Sequence, residues 1–422
     1  MRLSVAASGA VTGLALAGLL VPAVPAQADV DAACLGSQTD TPRTDTENTS
    51  VPLEALGAEQ AQELFGDRAP GSGVTVAVLD SGVVDSPLLT VRSHQSFGTA
   101  TKGLVSGHGS VVAGLVAGHA RANGKPVGVA PGASIIDVRV YDTDLPQDGA
   151  QPPQTKVSTS ALVDGLEWVA GHARAEGIKV ANISLATAHT PELERAVEKA
   201  WDAGVVVVAA AGNRPGEGQL NYETLGTFRT GEDAHDLVAP ARYEHVVAVT
   251  ATPDGDPEHP APTTYVVQNS ATDVAAPTYG GVSIDLNGST CVVQEVATSW
   301  ATAEVSGVLA LLWSRYPTEK PAQIVARLLD TADGSALDPT PLRGAGVVQP
   351  VEALTRPLHP DRAGDLPRAR PEEGRTPRAT SPEPEADVLA ATREHAVWWG
   401  LLGGGALLLA LLLRPVTARR RT

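Results

Sequence analysis

The sequence predicts an α/β fold of three layers, in which a mainly parallel sheet lies between two layers of helices. Five short, nearly continuous apolar runs predict buried strands, and helical patterns separate several of them. Strands that are apolar on both faces and alternate with helices are typical of a parallel sheet covered on both sides. The five runs are VTVAVLD (74–80), SIIDVRVYD (134–142), KVANISL (179–185), VVVVAAAGN (205–213) and HVVAVTA (245–251).

The helical segments are recognised by spacing and by their first residues. Segment 159–174 has apolar residues at helical spacing, and segment 190–203 starts with a threonine cap and a proline at the first helical position. Segment 299–316 is small or apolar on every side, which predicts a buried helix. Segment 321–332 predicts a further helix, and 344–354 predicts the last packed element. Segments 142–156 and 214–245 are polar and predict surface insertions.

The two ends of the 422-residue chain differ in composition from its middle. Their patterns predict export and a single membrane anchor, because residues 1–28 resemble a cleavable signal peptide and 396–413 are apolar for a length that can cross a bilayer. Basic residues after the anchor favour a cytoplasmic C-terminus and an extracytoplasmic middle. The predicted order is signal peptide (1–28), polar N-terminal extension (29–50), folded domain (51–355), Pro-rich charged linker (356–395), transmembrane helix (396–413) and basic tail (414–422).

The charge and the cysteines limit the function classes. A net charge of −17 gives no electrostatic support for nucleic-acid binding, so protein substrates or partners are expected. The chain has two cysteines, Cys34 and Cys291, and an exported chain with an even number of cysteines favours a disulfide. Two separate thiols are the alternative. A bridge would hold the N-terminal extension beside the loop that leads to Ser299.

Three polar residues occur in the order acid, histidine, serine, each at the end of a predicted strand or the start of a predicted helix. Asp80 ends the first strand in VLDSGV, His108 lies in GHGSVVAG, and Ser299 lies in ATSWATAEVSG. Each has an ordinary structural interpretation: a turn aspartate, a core histidine and a helix cap. Catalytic residues of parallel sheets gather at the carboxyl ends of the strands.

The coincidence of all three favours nucleophilic catalysis. A serine hydroxyl needs a histidine to take its proton, and that histidine needs a buried carboxylate to fix its tautomer. Asn213, at the end of the fourth run, could direct its amide toward an oxyanion, with the N-terminus of the Ser299 helix adding positive potential. We therefore interpret Ser299 as a nucleophile.

These motifs, together with NISLA, AAAGN and DVAAPT, resemble the ordered motif set of the subtilisin-like serine proteases, the subtilases, over roughly residues 71–354. The order Asp, His, Ser is that of subtilisin. The resemblance implies that Asp80 orients His108, that His108 acts as general base and then acid, that Ser299 attacks, and that Asn213 binds the oxyanion. It also implies a peptide-binding edge at Ser184, Leu185 and Ala186, with Ala211 and Gly212 on the facing pocket wall.

The layout resembles one branch, the mycosins, which are membrane-anchored subtilases of actinobacterial type VII secretion systems. This resemblance implies protein or peptide substrates and partners among type VII secretion membrane components. Residues 29–50 are too short for the folded propeptide domain usual in subtilases. No cofactor and no metal cluster is expected; structural calcium occurs in the family, but Asp142 and Asp144 alone do not predict a site.

The chain departs from the family pattern at several small residues. Ala297 and Ala186 stand where glycine is usual, and Ala303 stands where proline is usual; Thr278 and Ser110 are further departures. A methyl group at 297 or 186 excludes backbone angles open only to glycine. The alternative function is therefore a weak or inactive subtilase that serves as a structural subunit of a secretion membrane complex.

Overall fold

A computed structural model describes residues 33–34, 45–143, 156–216, 225–258, 261–367 and 389–418. The predicted signal peptide, Asp144, the middle of the linker and the arginines at 419–421 lie outside these residues. Contacts divide the chain into two units, residues 1–367 and 368–422. The first unit contains the sheet, and the second contains one long helix.

A seven-stranded parallel sheet forms the centre of the first unit, in the order β2-β3-β1-β4-β5-β6-β7. This confirms the predicted fold class. Six of the seven strands, all except β2, are buried along nearly their whole length, as expected for a sheet covered on both faces. The strands are β1 (Thr75–Asp80), β2 (Val91–Ser96), β3 (Ser134–Arg139), β4 (Ile178–Ile183), β5 (Val206–Ala210), β6 (Val246–Thr252) and β7 (Val274–Pro277).

Helices cover both faces of this sheet, and each face has its own apolar cluster. Helices α3 and α6 pack on one side, where α6, buried from Thr298 to Ser314, crosses β4, β5 and β6. Helices α4 and α5 pack on the other. The helices of this unit are α1 (Val51–Ala55), α2 (Ala58–Glu63), α3 (His108–Ala117), α4 (Thr159–Glu176), α5 (Pro191–Asp202), α6 (Thr298–Arg315), α7 (Pro321–Asp330) and α8 (Pro350–Thr355).

The strand order reverses between β1 and β4, which are neighbours in the sheet although two strands separate them along the chain. Such a switch point opens a crevice beyond the carboxyl ends of the strands, where ligands of α/β proteins bind. Asp80 ends β1, and Ser184 follows β4 directly. The fold therefore brings the sequence-predicted residues to one crevice.

The N-terminal extension is tied to a hairpin made of β8 (Gly281–Ile284) and β9 (Thr290–Val293). Cys34 and Cys291 form a disulfide, which confirms that prediction. Asp45 accepts a hydrogen bond from the Thr290 amide at 2.8 Å. The Arg121 guanidinium donates to the Thr46 carbonyl oxygen at 2.5 Å. The bridge thus joins the extension to the strand that precedes the loop to Ser299.

Several elements differ from the sequence prediction. Strand β2 was missed because it is an edge strand of alternating polar residues, and β7 because it has four residues. The prediction of a surface insertion at 214–245 is wrong for its second part. That part contributes side chains to the apolar core, at Leu225, Ala234, Val238, Ala239, Ala241 and Tyr243.

The second unit contains α9 (Ala390–Ala418). Its segment Ala391–Arg414 has 24 residues and contains an 18-residue window with a mean hydropathy of 2.0, none of which is buried. At 1.5 Å per residue this segment is about 36 Å long, which exceeds the roughly 30 Å hydrocarbon thickness of a bilayer. By length and composition the helix can span a membrane, and it extends beyond the predicted span 396–413 at both ends.

Candidate active site

Asp80 is fully buried at the end of β1, where a carboxylate needs hydrogen-bond donors to offset its lost hydration. Its Oδ1 accepts from the Ser81 amide at 2.7 Å and from the Tyr141 hydroxyl at 3.0 Å. Both carboxylate oxygens also lie beside the His108 ring. The acid is therefore held in one orientation by three separate groups.

His108 is the first residue of α3, and its Nδ1 lies 2.8 Å and 3.0 Å from the two carboxylate oxygens of Asp80. Both oxygens accept, so Nδ1 carries the hydrogen. The neutral ring then has its lone pair on Nε2, which is the tautomer that a general base requires. The Asp80 contact thus fixes both the orientation and the tautomer of the imidazole.

Glycines permit this close approach between β1 and α3. A Cβ atom at Gly109 would lie 2.5 Å from the Gly82 carbonyl oxygen and 3.1 Å from the Asp80 Cβ. Gly82 itself has a φ of +104°, which favours glycine. The glycines in the DSG and GHG motifs therefore allow the histidine to reach the acid.

Ser299 is the second residue of α6, and the N-cap position belongs to Ala297. Its Oγ donates to the Ser184 carbonyl oxygen at 3.0 Å. A capping serine has β-region backbone angles and accepts a hydrogen bond from its own helix. The helix-cap interpretation of Ser299 is therefore wrong, and its hydroxyl lies at the crevice beside β4.

The backbone at Ala297 is extended, with φ −144° and ψ 143°, and any residue adopts these angles. Among the described residues, His245 is the only non-glycine residue with positive φ. Ala186 and Thr278 therefore also adopt angles open to residues with a side chain. The backbone at 297 and 186 therefore does not use the angles that only glycine adopts.

Asn213 lies beyond β5 and turns its amide toward the start of α6. Its Oδ1 accepts from the Thr298 amide at 2.7 Å and from the Thr298 hydroxyl at 2.8 Å. A backbone amide can only donate, so the acceptor atom is assigned without ambiguity. The Nδ2 group is thus left to donate elsewhere, next to the unpaired amides with which every helix begins.

A buried polar network holds α6 to the end of β4. The Ser184 hydroxyl donates to the Ser299 carbonyl oxygen at 2.7 Å, and the Asn182 amide donates to the Ser184 hydroxyl at 2.9 Å. Ser306, two turns further along α6, donates to the Asn182 side-chain oxygen at 2.9 Å. These bonds fix the start of the helix relative to the crevice.

The five residues predicted to bind substrate follow neighbouring strands. β4 pairs in parallel with β5, so the residues after them reach the same edge of the sheet. Ser184, Leu185 and Ala186 come directly after β4, and Ala211 and Gly212 directly after β5. The structure thus brings both groups to the edge that carries Ser299.

Two residues of the site were missed by sequence reasoning. The Tyr141 hydroxyl lies 3.0 Å from Asp80 and 3.5 Å from His108 Nδ1. The Trp300 indole packs against the His108 ring, with centroids 4.7 Å apart. Tyr141 lies near the end of the run SIIDVRVYD without a motif of its own, and Trp300 is marked in the sequence only by its position after Ser299.

In the described residues, no group of three or more His, Cys, Asp or Glu side chains could hold a metal ion. Asp142 accepts hydrogen bonds from the Ala100 amide at 2.8 Å and from the Thr101 hydroxyl at 2.8 Å. Its carboxylate also forms an ion pair with Arg139. Asp142 therefore serves the packing of the chain beside the crevice.

An Asp–His contact beside a serine at a helix N-terminus, on a parallel α/β sheet, defines the arrangement of a serine peptidase. Residues 71–350 match the subtilase family, Peptidase_S8. The chain belongs to this family, and it is a serine endopeptidase.

Known relatives agree with this assignment. The chain is 33% identical to Mycosin-1 of Mycobacterium tuberculosis (strain ATCC 25618 / H37Rv) over 370 residues, which are 80% of this chain and 81% of that protein. It is 34% identical to M-protease of Shouchella clausii (strain KSM-K16) over 317 residues, 73% of this chain and 70% of that protein.

Solved structures are similar as well. The MycP3 protease of the type VII (ESX-3) secretion system matches with a TM-score of 0.58 at 30% identity, covering 77% of this chain and 93% of that one. A chain of the periplasmic assembly of the ESX-5 inner membrane complex matches with a TM-score of 0.57 at 26% identity, covering 84% and 94%.

Proposed function

We propose that the chain is a membrane-anchored, extracytoplasmic endopeptidase of the mycosin type, in which Ser299 forms the acyl-enzyme with protein substrates. The observation that carries the proposal is the His108 ring, held by both oxygens of buried Asp80 at the crevice that also contains Ser299. In this role Asp80 orients the imidazole and stabilises its protonated form.

The reaction begins with rotation of the Ser299 side chain away from the Ser184 carbonyl, which it contacts at 3.0 Å, toward His108 Nε2. Such bonds are often formed only once substrate is bound. Oγ then attacks the scissile carbonyl carbon while Nε2 takes its proton. His108 returns this proton to the leaving amine, and water hydrolyses the acyl-enzyme by the same route.

The negative charge of the tetrahedral intermediate is stabilised by Asn213 Nδ2 and by backbone amides at the start of α6. The Thr298 contacts at 2.7 and 2.8 Å keep the Asn213 amide in this orientation before substrate arrives. Preorganised donors of this kind contribute about 3 to 4 kcal/mol each to transition-state stabilisation. A peptide substrate pairs with Ser184, Leu185 and Ala186 as an added strand.

Labelling of the purified full-length protein with a fluorophosphonate probe tests this assignment. Ser299→Ala and His108→Ala should abolish labelling, and Asp80→Asn should slow it by about 10⁴-fold through the wrong tautomer. Ser314→Ala, a buried serine at the other end of α6, is the matched control and should label normally. Labelling that survives Ser299→Ala would show that another residue is the nucleophile.

Membrane anchoring is supported by α9, whose exposed segment Ala391–Arg414 is long and apolar enough to cross a membrane. We expect a tag at the C-terminus to resist external protease in intact cells and residues 51–355 to be accessible. Alkaline carbonate should leave the protein in the membrane fraction. Release by carbonate, or an external C-terminus, would contradict the anchor or its orientation.

Association with a type VII secretion complex is supported by the likeness to the ESX-5 periplasmic assembly. This likeness also favours the second candidate function, a structural subunit that does not need its chemistry. Deletion of the protein and complementation with Ser299→Ala separates the two. Rescue of secretion by the variant shows a structural role, whereas failure of a stably expressed variant shows that proteolysis is required.

A further inference from the structure

The indole of Trp300 lies directly against the imidazole of His108. The ring centroids are 4.7 Å apart with an interplanar angle of 36°, and Trp300 is 2% exposed. Within the described residues, its Nε1 has no hydrogen-bond partner. The Trp300 indole therefore contacts His108 through its π system. A hydrogen bond from its Nε1 does not account for its burial within the described residues.

We propose that Trp300 is a positioning residue of the reaction, whose π face stabilises the protonated His108 that forms while Ser299 attacks. A cation within about 6 Å of an indole centroid is attracted by the ring quadrupole. The proposal rests on the proposed function, because it requires His108 to take the serine proton. Asp80 favours the imidazolium from the edge of the His108 ring. Trp300 is then a second group that favours it, from the face of the same ring.

Helix α3 packs against β1, β3, α6 and β8, and Asp80 on β1 bonds to His108 itself. The Tyr141 hydroxyl lies 3.5 Å from the Nδ1 edge. The other ionisable side chains of these elements are paired elsewhere, remote or buried: Asp137 with His94, Arg139 with Asp142, Arg315 at the far end of α6, and Glu304.

Two physical effects of the indole oppose each other, and this makes the proposal testable. A buried apolar wall excludes water and disfavours the imidazolium, whereas a π face favours it. Replacing Trp300 by leucine keeps an apolar side chain and removes the π face. If the π face dominates, the pKa of His108 falls; if the wall dominates, its pKa stays or rises as water enters.

The experiment measures the second-order rate of fluorophosphonate labelling of the full-length protein between pH 5 and 9. Labelling requires neutral His108, so the acid limb of the profile reports its titration. Trp300→Leu should shift this acid limb to lower pH by about 0.4 to 0.7 unit. It should also lower the labelling rate on the plateau about two- to fivefold. Trp300→Phe keeps a π face and should leave the limb in place.

Trp313→Leu is the matched control, because Trp313 is also 2% exposed, lies on the same helix and has an Nε1 without a partner in the described residues. It should lower the thermal midpoint and leave the limb unchanged. An unshifted or upward limb in Trp300→Leu overturns the proposal. Loss of all labelling in Ser299→Ala and His108→Ala then shows that the proposed function stands while the role of Trp300 fails.

A second measurement avoids any change of shape. Biosynthetic incorporation of 5-fluorotryptophan weakens the π face of every indole and keeps its volume nearly the same. The acid limb should again move to lower pH, and it should no longer respond in the Trp300→Phe background. A fluorotryptophan shift that persists in Trp300→Phe would assign the effect to another tryptophan and overturn the proposal.

Discussion

Replacing Glu304 by methionine should stabilise the protein, and increasingly so at higher pH. Glu304 lies within α6, is 1% exposed, and has no hydrogen-bond partner at either carboxyl oxygen within the described residues. Burial raises its pKa well above the ordinary value of 4.5. A buried polar group without a partner costs about 1 to 3 kcal/mol even when neutral.

The pH dependence follows from proton linkage. Between pH 4.5 and the raised pKa, the unfolded chain has released the Glu304 proton and the folded protein retains it. The folded state therefore binds one more proton, and the free energy of unfolding falls by about 1.4 kcal/mol for each pH unit. Within that pH window this loss is present in the wild type and absent in Glu304→Met.

Guanidinium unfolding at pH 5, 6, 7 and 8, followed by tryptophan fluorescence, measures the difference. The free energy of unfolding of Glu304→Met should exceed that of the wild type by about 1 to 3 kcal/mol at pH 5, and this difference should widen with pH. Glu304→Gln is the control that keeps a polar group and removes the titration, so its gap should widen by the same slope. Parallel curves, or a methionine variant less stable than wild type, would refute the reasoning.

Three further substitutions test other parts of the structure. Removing the Cys34–Cys291 bridge, which spans 257 residues, should lower the free energy of unfolding by up to about 5 kcal/mol, measured by guanidinium titration. Burial raises the pKa of Asp273 to about 7, so the contribution of this carboxyl to the free energy of unfolding should fall by about 3 to 4 kcal/mol from about pH 4 to pH 7. Asp273→Asn should remove this contribution in unfolding titrations. Thr298→Val removes the hydroxyl that holds Asn213 at 2.8 Å and should slow fluorophosphonate labelling about fivefold.

Each of these has a control. The cysteine variant should still label with fluorophosphonate, and an unchanged unfolding midpoint would show that the bridge does not restrict the unfolded chain. Asp273→Asn should match the wild type near pH 4, and an unchanged slope above pH 4 would contradict a raised pKa. Thr302→Val removes a hydroxyl that bonds only within α6, at 2.7 Å, and should label normally. Equal rates for both threonine variants would disprove the role of the Asn213 contact.

The sequence was sufficient to predict the fold class and to predict that the candidate site residues lie close together. Apolar runs mark buried parallel strands, and the residues that follow them must share one edge of the sheet. Asp80 and Ser184 meet in this way. Strand β2 could not be recognised, because an edge strand with one exposed face has the composition of a loop.

Sequence patterns could not predict the side-chain contacts between segments that are distant along the chain. Tyr141 reaches Asp80 from the segment that follows β3, 61 residues further along the chain. Trp300 meets His108 because α3 and α6 pack together on the same face of the sheet. No local signal distinguishes these two aromatic residues from ordinary core residues.

The backbone geometry at Ala186 and Ala297 changes what these replacements of the usual glycines imply for activity. A glycine is irreplaceable where its φ is positive or where a Cβ would collide, as at Gly82 and Gly109. Ala297 is extended at φ −144°, and α6 begins directly after it. Ala297, one of the replacements that raised the alternative of an inactive subunit, therefore leaves the backbone of the helix that carries Ser299 intact. We therefore expect the methyl groups at 186 and 297 to act through the width of the substrate channel rather than through the backbone angles.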